Sequence, residues 1–116
     1  MVEPNLLACV LTAIDELKGQ HVVHINVKPI SSITDDMVFV SGSSNRHVKA
    51  IADKVVEDAR MIGIKPIGVE GEETAEWILV DLGDVVVHIM LPKTREFYDL
   101  ERLWSQSEAP SQSKQQ

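Results

Sequence analysis

The sequence predicts an α/β (α+β) domain built on a mixed five-stranded sheet flanked by helices, and three stretches carry that expectation. Residues 77–91 hold two aliphatic runs, Trp77–Leu82 and Val85–Leu91, parted by Gly83-Asp84. A glycine followed by a polar residue suits a type II′ turn, because glycine takes a positive φ without steric cost, so the segment reads as a β-hairpin. Upstream, a run at Met37–Val40, a helical period from Val48 to Ile62 and a further run at Ile64–Val69 read as a βαβ unit. Such a unit makes part of the sheet parallel and the hairpin makes part of it antiparallel, hence a mixed sheet. The third stretch is an amphipathic helix over residues 5–18, which supplies a face to cover the sheet.

In order along the chain, Leu6, Leu7, Val10, Leu11, Ile14 and Leu17 recur at helical spacing, with Pro4 suited to a first turn and Gly19 to a stop. Val22–Val27 alternates as a strand, and the polar run Pro29–Asp36 connects it to the strand Met37–Val40. Ser41-Gly42-Ser43-Ser44 then leads into a helix carrying Val48, Ile51, Ala52, Val55, Ala59 and Ile62 on one face. Gly63 serves as its C-cap and Pro66 lies just beyond. Within the hairpin, Ile78, Val80 and Leu82 share one face while Trp77, Leu79 and Asp81 share the other. The first face reads as core. The second mixes a Trp, a Leu and a carboxylate, as a surface that meets a partner does. Thr94 reads as the N-cap of a last helix with Phe97, Leu100 and Trp104 on one stripe. Residues 105–116 are polar and aperiodic, a disordered tail after a domain spanning 1–104.

The 116 residues are 44% hydrophobic with a net charge of −7, which fits one domain with a modest core. That charge argues against direct nucleic-acid binding, which normally needs a concentrated basic face. With a single cysteine no disulfide framework forms, and with no basic and apolar leader and no run of spanning length the expected location is the cytoplasm.

Glu70, Glu72, Glu73, Glu76, Asp81 and Asp84 fall within a stretch that has no Lys or Arg. Such a rim is either a solvated face or a docking surface for a basic protein, and Trp77 beside charge has the make-up of a hot spot. The Ser41–Ser44 turn presents N–H groups at a helix start, yet it lacks a Walker lysine and a Rossmann glycine triplet, so a capped turn is the preferred reading. Arg46 and His47 stand in the first turn, where positive charge opposes the helix dipole. His21, His24, His47 and His88 show no metal spacing; His24 and His88 fall on the less apolar face of their strands, where two such residues could meet across the sheet, but ordinary surface positions are the preferred reading. No cofactor is expected. No Cys–His pair or nucleophile elbow is present.

Several separated motifs then point one way: Ser31-Ser32-Ile33-Thr34-Asp35, Gly42 with Ser44–Val48, Gly68-Val69-Glu70-Gly71, Trp77–Val85 with Val87-His88, and Asp99-Leu100-Glu101 with Leu103-Trp104. Over about Leu6 to Trp104 the chain resembles the ribosomal silencing factor, or Iojap-like, family. That resemblance implies a fold related to the nucleotidyltransferases without their metal-binding carboxylates: here only Asp53 stands near the required spacing, with Val55 where a second acid belongs. It implies a protein that is not an enzyme, the alternative being a residual nucleotidyl- or phosphoryl-transfer activity at the Ser41–Ser44 turn, and that binds ribosomal protein L-fourteen of the large ribosomal subunit. There it sterically blocks subunit joining and represses translation when nutrients are scarce; organellar relatives act in large-subunit biogenesis. Free members are homodimers. The resemblance places docking on Trp77, Leu79, Asp81, Leu82, Gly83 and Asp84, with Tyr98 added. Leu82 is double-sided, since its parity belongs to the core and its place beside the turn to the surface. Asp36 departs from relatives that carry an aromatic residue or Cys there.

Overall fold

The computed structural model describes residues 5–99 and Arg102. Pro4, Leu100, Trp104 and the tail 105–116 lie outside them. The order is α1 (Leu6–Glu16), β1 (Gln20–Asn26), β2 (Asp36–Ser41), α2 (Asn45–Met61), β3 (Gly68–Glu70), β4 (Trp77–Asp81), β5 (Val85–Met90) and α3 (Pro92–Tyr98). The five strands form one mixed sheet in the order β1-β2-β5-β4-β3, as the fold class anticipated.

Local chemistry sets most boundaries. The Asn5 side chain caps α1 by accepting the Ala8 N–H at 3.1 Å, and Ser44 caps α2 by accepting from His47. The turn after α1 is made by Lys18 at φ 59; Gly19 instead permits close packing, since a Cβ there would lie 2.5 Å from Ile14 Cγ2 and 2.6 Å from Val40 Cγ2. Gly63 follows α2 at φ +87, as expected of a C-cap glycine. The last helix starts earlier than Thr94 predicts. Pro92 opens it behind Leu91, with no side-chain cap, because proline's fixed φ suits the first turn and its missing N–H costs nothing there.

The parallel pairing differs from the simple βαβ expectation. β2 pairs in parallel with β5, in register Asp36↔Val85 to Ser41↔Met90, and β4 pairs antiparallel with both β5 and β3. The strand after α2 therefore runs parallel to β2 but at the far edge, with the hairpin between them. α2 crosses over β5 and β4 to reach it. This edge strand is also shorter than Ile64–Val69: the Ile64 N–H closes α2 on the Ala59 carbonyl, and Pro66 has no N–H to pair.

Both faces of the sheet are apolar. On one, Val10 and Ile14 of α1 and Val48, Ile51 and Val55 of α2 pack on Val38, Val40, Ile78, Val80, Leu82, Val85, Val87 and Ile89. On the other, Ile25, Val27, Met37, Phe39, Val86 and Met90 form a second cluster, with Val23, Trp77 and Leu79 packed against it. α3 approaches the sheet on that second side, where Arg95 Nη1 donates to Ser41 Oγ at 2.8 Å. Among the described residues no helix is long and apolar enough to cross a membrane.

Candidate partner-docking face

β4 delivers Trp77, Leu79 and Asp81 half-buried to the second face while Ile78 and Val80 are fully buried beneath α2, the division that alternation predicts. Asp81 is followed by a two-residue turn, with Gly83 at φ +90 and the Leu82 N–H bonded to the Val85 carbonyl at 2.9 Å. One Asp81 oxygen accepts the Gly83 N–H at 2.9 Å, so this carboxylate shapes the turn as well as charging it. Asp84 is exposed, and its carbonyl holds the Asp35 and Asp36 N–H groups, tying the turn to the start of β2. Leu82 is only 4% exposed and sits in the helix-covered core, so parity and not proximity to the turn decides its place.

The apolar part of the face is a chain of rings. Tyr98, 51% exposed, lies 4.9 Å from Trp77 between centroids, and Phe97 meets Tyr98 edge-on at 4.9 Å. The stripe expected to bury Phe97 does not: it is 78% exposed. Behind Trp77 the chain continues inward. The indole Nε1–H donates to His88 Nδ1 at 3.1 Å, and the imidazole stacks on Phe39 with centroids 4.9 Å apart and planes 11° from parallel.

His88 is therefore not a surface residue. It is 5% exposed, and burial lowers its pKa from 6.5 to about 4, which keeps the ring neutral. An indole can only donate, so Nδ1 accepts and the proton resides on Nε2. His24 does not share its face. It stands opposite Val38, on the side of the sheet that α1 and α2 cover, and its Nε2 pairs with Asp36 Oδ1 at 2.7 Å. Asn26 donates to the same oxygen, which gives Asp36 two side-chain partners.

The acidic residues from Glu70 to Asp84 lie on both the ring face and the α2 side. Glu70, opposite Leu79 and on its face, is exposed, as are Glu72, Glu73 and Glu76. Lys49 reaches Glu72 at 3.8 Å and Asp53 at 3.5 Å from α2, and both pairs are solvent-exposed, so they neutralise little. Asp53 is thus a helix-surface residue. Among the described residues no group of three or more His, Cys, Asp or Glu is placed to hold a metal ion.

The Ser41–Ser44 turn is occupied by its own chain. His47 Nδ1 accepts the Ser43 N–H at 2.8 Å while its Nε2 donates to the Leu17 carbonyl at 2.7 Å, bridging α2 to the end of α1. His47 thereby has a structural reason to stand in the first turn. A Cβ on Gly42 would lie 2.7 Å from Val48 Cγ2, so glycine is required there by close packing.

Fold and face together define a small α/β domain that presents an aromatic surface with an acidic border. The family model described as ribosomal silencing factor during starvation matches residues 2–116. The ribosomal silencing factor RsfS of Haemophilus influenzae is 44% identical over 100 residues, covering 86% of this chain and 98% of that protein. A crystal structure of a Chromobacterium violaceum protein superposes with a TM-score of 0.86 at 38% identity, covering 90% of this chain and 88% of that one. A mouse protein named mitochondrial assembly of ribosomal large subunit protein 1 is 38% identical over 84 residues, which span 70% of this chain and 37% of the mouse protein. The chain belongs to the ribosomal silencing factor family.

Proposed function

We propose that this protein represses translation without chemistry, by docking the β4–α3 face on ribosomal protein L-fourteen of the large subunit and so obstructing subunit joining. The observation that supports this is the Trp77–Tyr98 ring pair, half-open to solvent, on a strand face that also carries Leu79 opposite Glu70 and, at its far end beside the Asp84 turn, Asp81. Rings of this kind anchor interfaces, and an acidic border selects a basic partner and speeds its approach. Trp77, Leu79 and Tyr98 supply the apolar contact. Asp81 and Asp84 pair with Lys or Arg, while Gly83 and the buried Leu82 hold the turn that carries them. The action is steric, takes place in the cytoplasm, and needs a footprint of roughly 800 Å² per partner. When free, the protein is a homodimer.

The test is co-sedimentation with separated large and small ribosomal subunits. Wild type pellets with the large subunit alone. Asp81→Asn keeps the oxygen that bonds Gly83 while deleting the charge, and Tyr98→Ala removes one ring; both reduce the bound fraction. Wild-type protein left in the supernatant with both subunits refutes the proposal. A second reading, assembly of the large subunit, is favoured by the name of the mouse relative. It predicts that depletion leaves precursor particles, whereas silencing predicts mature subunits that join too readily.

A further inference from the structure

We infer that His88 is a positioning residue of the docking face, holding the Trp77 indole through Nδ1 in the orientation that a partner meets. The inference rests on the docking reading above and adds a residue that lies behind the surface and touches no partner. On a strand, a half-buried Trp with free χ angles samples several rotamers. Here the indole has a fixed acceptor on one side, His88 Nδ1 at 3.1 Å, and a ring packed 4.9 Å away on the other, Tyr98. The acceptor is itself fixed. His88 stacks on the fully buried Phe39, on the strand at the middle of the sheet, opposite Leu79 of β4.

The chemistry suits a rigid acceptor. A neutral imidazole with its proton on Nε2 presents one lone pair in the ring plane, and burial keeps it in that form at neutral pH. A protonated ring would present a second N–H to the indole N–H and break the contact. Ordering the anchor before binding removes a cost that docking otherwise pays in rotamer entropy.

Two measurements on the full chain test this. In the wild type, assigned with the help of Trp104→Phe, nitrogen NMR shows a coupling across the hydrogen bond between Trp77 Nε1 and His88 Nδ1. This arm needs no His88 variant. In His88→Leu the Trp77 indole proton moves to the position of an unbonded indole and exchanges faster with water. His88→Asn places an amide oxygen near the former Nδ1 and restores both signals. Large-subunit binding follows: about tenfold weaker in His88→Leu, and within about threefold of wild type in His88→Asn. A general packing defect would not be mended by Asn, which is smaller and more polar than Leu. Absence of the coupling in wild type, an unmoved indole signal in His88→Leu, or full binding by that variant with its indole released overturns the inference. If wild type fails to bind the large subunit while the indole is held as described, the docking reading falls and the positioning of Trp77 stands.

Discussion

Acid should destabilise this domain through His88 at pH values where an exposed histidine would have no such effect. The folded ring has a pKa of about 4 against an ordinary 6.5, because the sheet and the rings around it exclude water. Below pH 6.5 the unfolded chain binds a proton that the folded chain refuses. Stability is therefore full above pH 6.5, declines as the pH falls, and the loss levels off only below about pH 4, where both forms become protonated. The gap between those pKa values corresponds to about 3 kcal/mol over the whole window, most of it spent by pH 4.5. For a domain of marginal stability that is a large share. The assay is urea unfolding at pH 7.5, 6, 5 and 4.5, for wild type and for His88→Leu. Every other titratable group is common to both proteins, so the difference between the two profiles isolates the imidazole. The wild-type unfolding free energy should fall by about 2.5 kcal/mol more than that of His88→Leu between pH 7.5 and 4.5. Parallel profiles would refute the reasoning, since they would mean that His88 gains its proton as easily folded as unfolded.

Two further perturbations probe the sheet. Ile78→Asp places a charge in the helix-covered core and should cost roughly 4 kcal/mol or more, enough to unfold the domain, as circular dichroism would show. Trp77→Ala leaves the His88 acceptor unpaired and should cost only about 1–3 kcal/mol of stability, while weakening large-subunit binding by on the order of 2 kcal/mol. Equal melting by the two variants would mean that the faces of β4 are misassigned. Gly71→Ala should lower the melting temperature, because Gly71 is held at φ +92 and a Cβ there would overlap the Trp77 carbonyl oxygen. The strain is worth about 1–3 kcal/mol or more, and an unchanged melting curve would contradict the backbone described here.

The hairpin, α2 and the two faces of β4 were legible in the sequence because their signals are local: a two-residue glycine turn, a 3.6-residue period, and alternation on a strand with one face half-open. What was hidden depended on neighbours that are distant in sequence. β5 lies at the centre of the sheet, with β2 on one side and β4 on the other, and all six of its residues are buried. On such a strand alternation carries no information, so His88 looked like a polar interruption on an outer face. Only the pairing of β2 with β5 puts Phe39 beside it, and only β4 brings the indole. The exposure of Phe97 was concealed in the same way. An apolar residue on a short helix reads as core until the position of that helix on the sheet is known.

Position within the sheet also explains how one tryptophan can belong to both core and surface. Trp77 starts β4 opposite Met90 and leans on the second apolar cluster, so its inner edge is packed. Its other contacts, Tyr98 and through it Phe97, lie on α3 and are open to water. The ring chain from Phe39 to Phe97 therefore runs from the sheet's interior to its exterior, and the hydrogen bond between Trp77 and His88 lies in the middle of it. A purely apolar contact would tolerate sliding of the indole, whereas an N–H donor facing one lone pair does not. Under the docking reading proposed above, the orientation of the Trp77 indole is the quantity that matters, and in this fold its hydrogen-bond acceptor lies behind the surface.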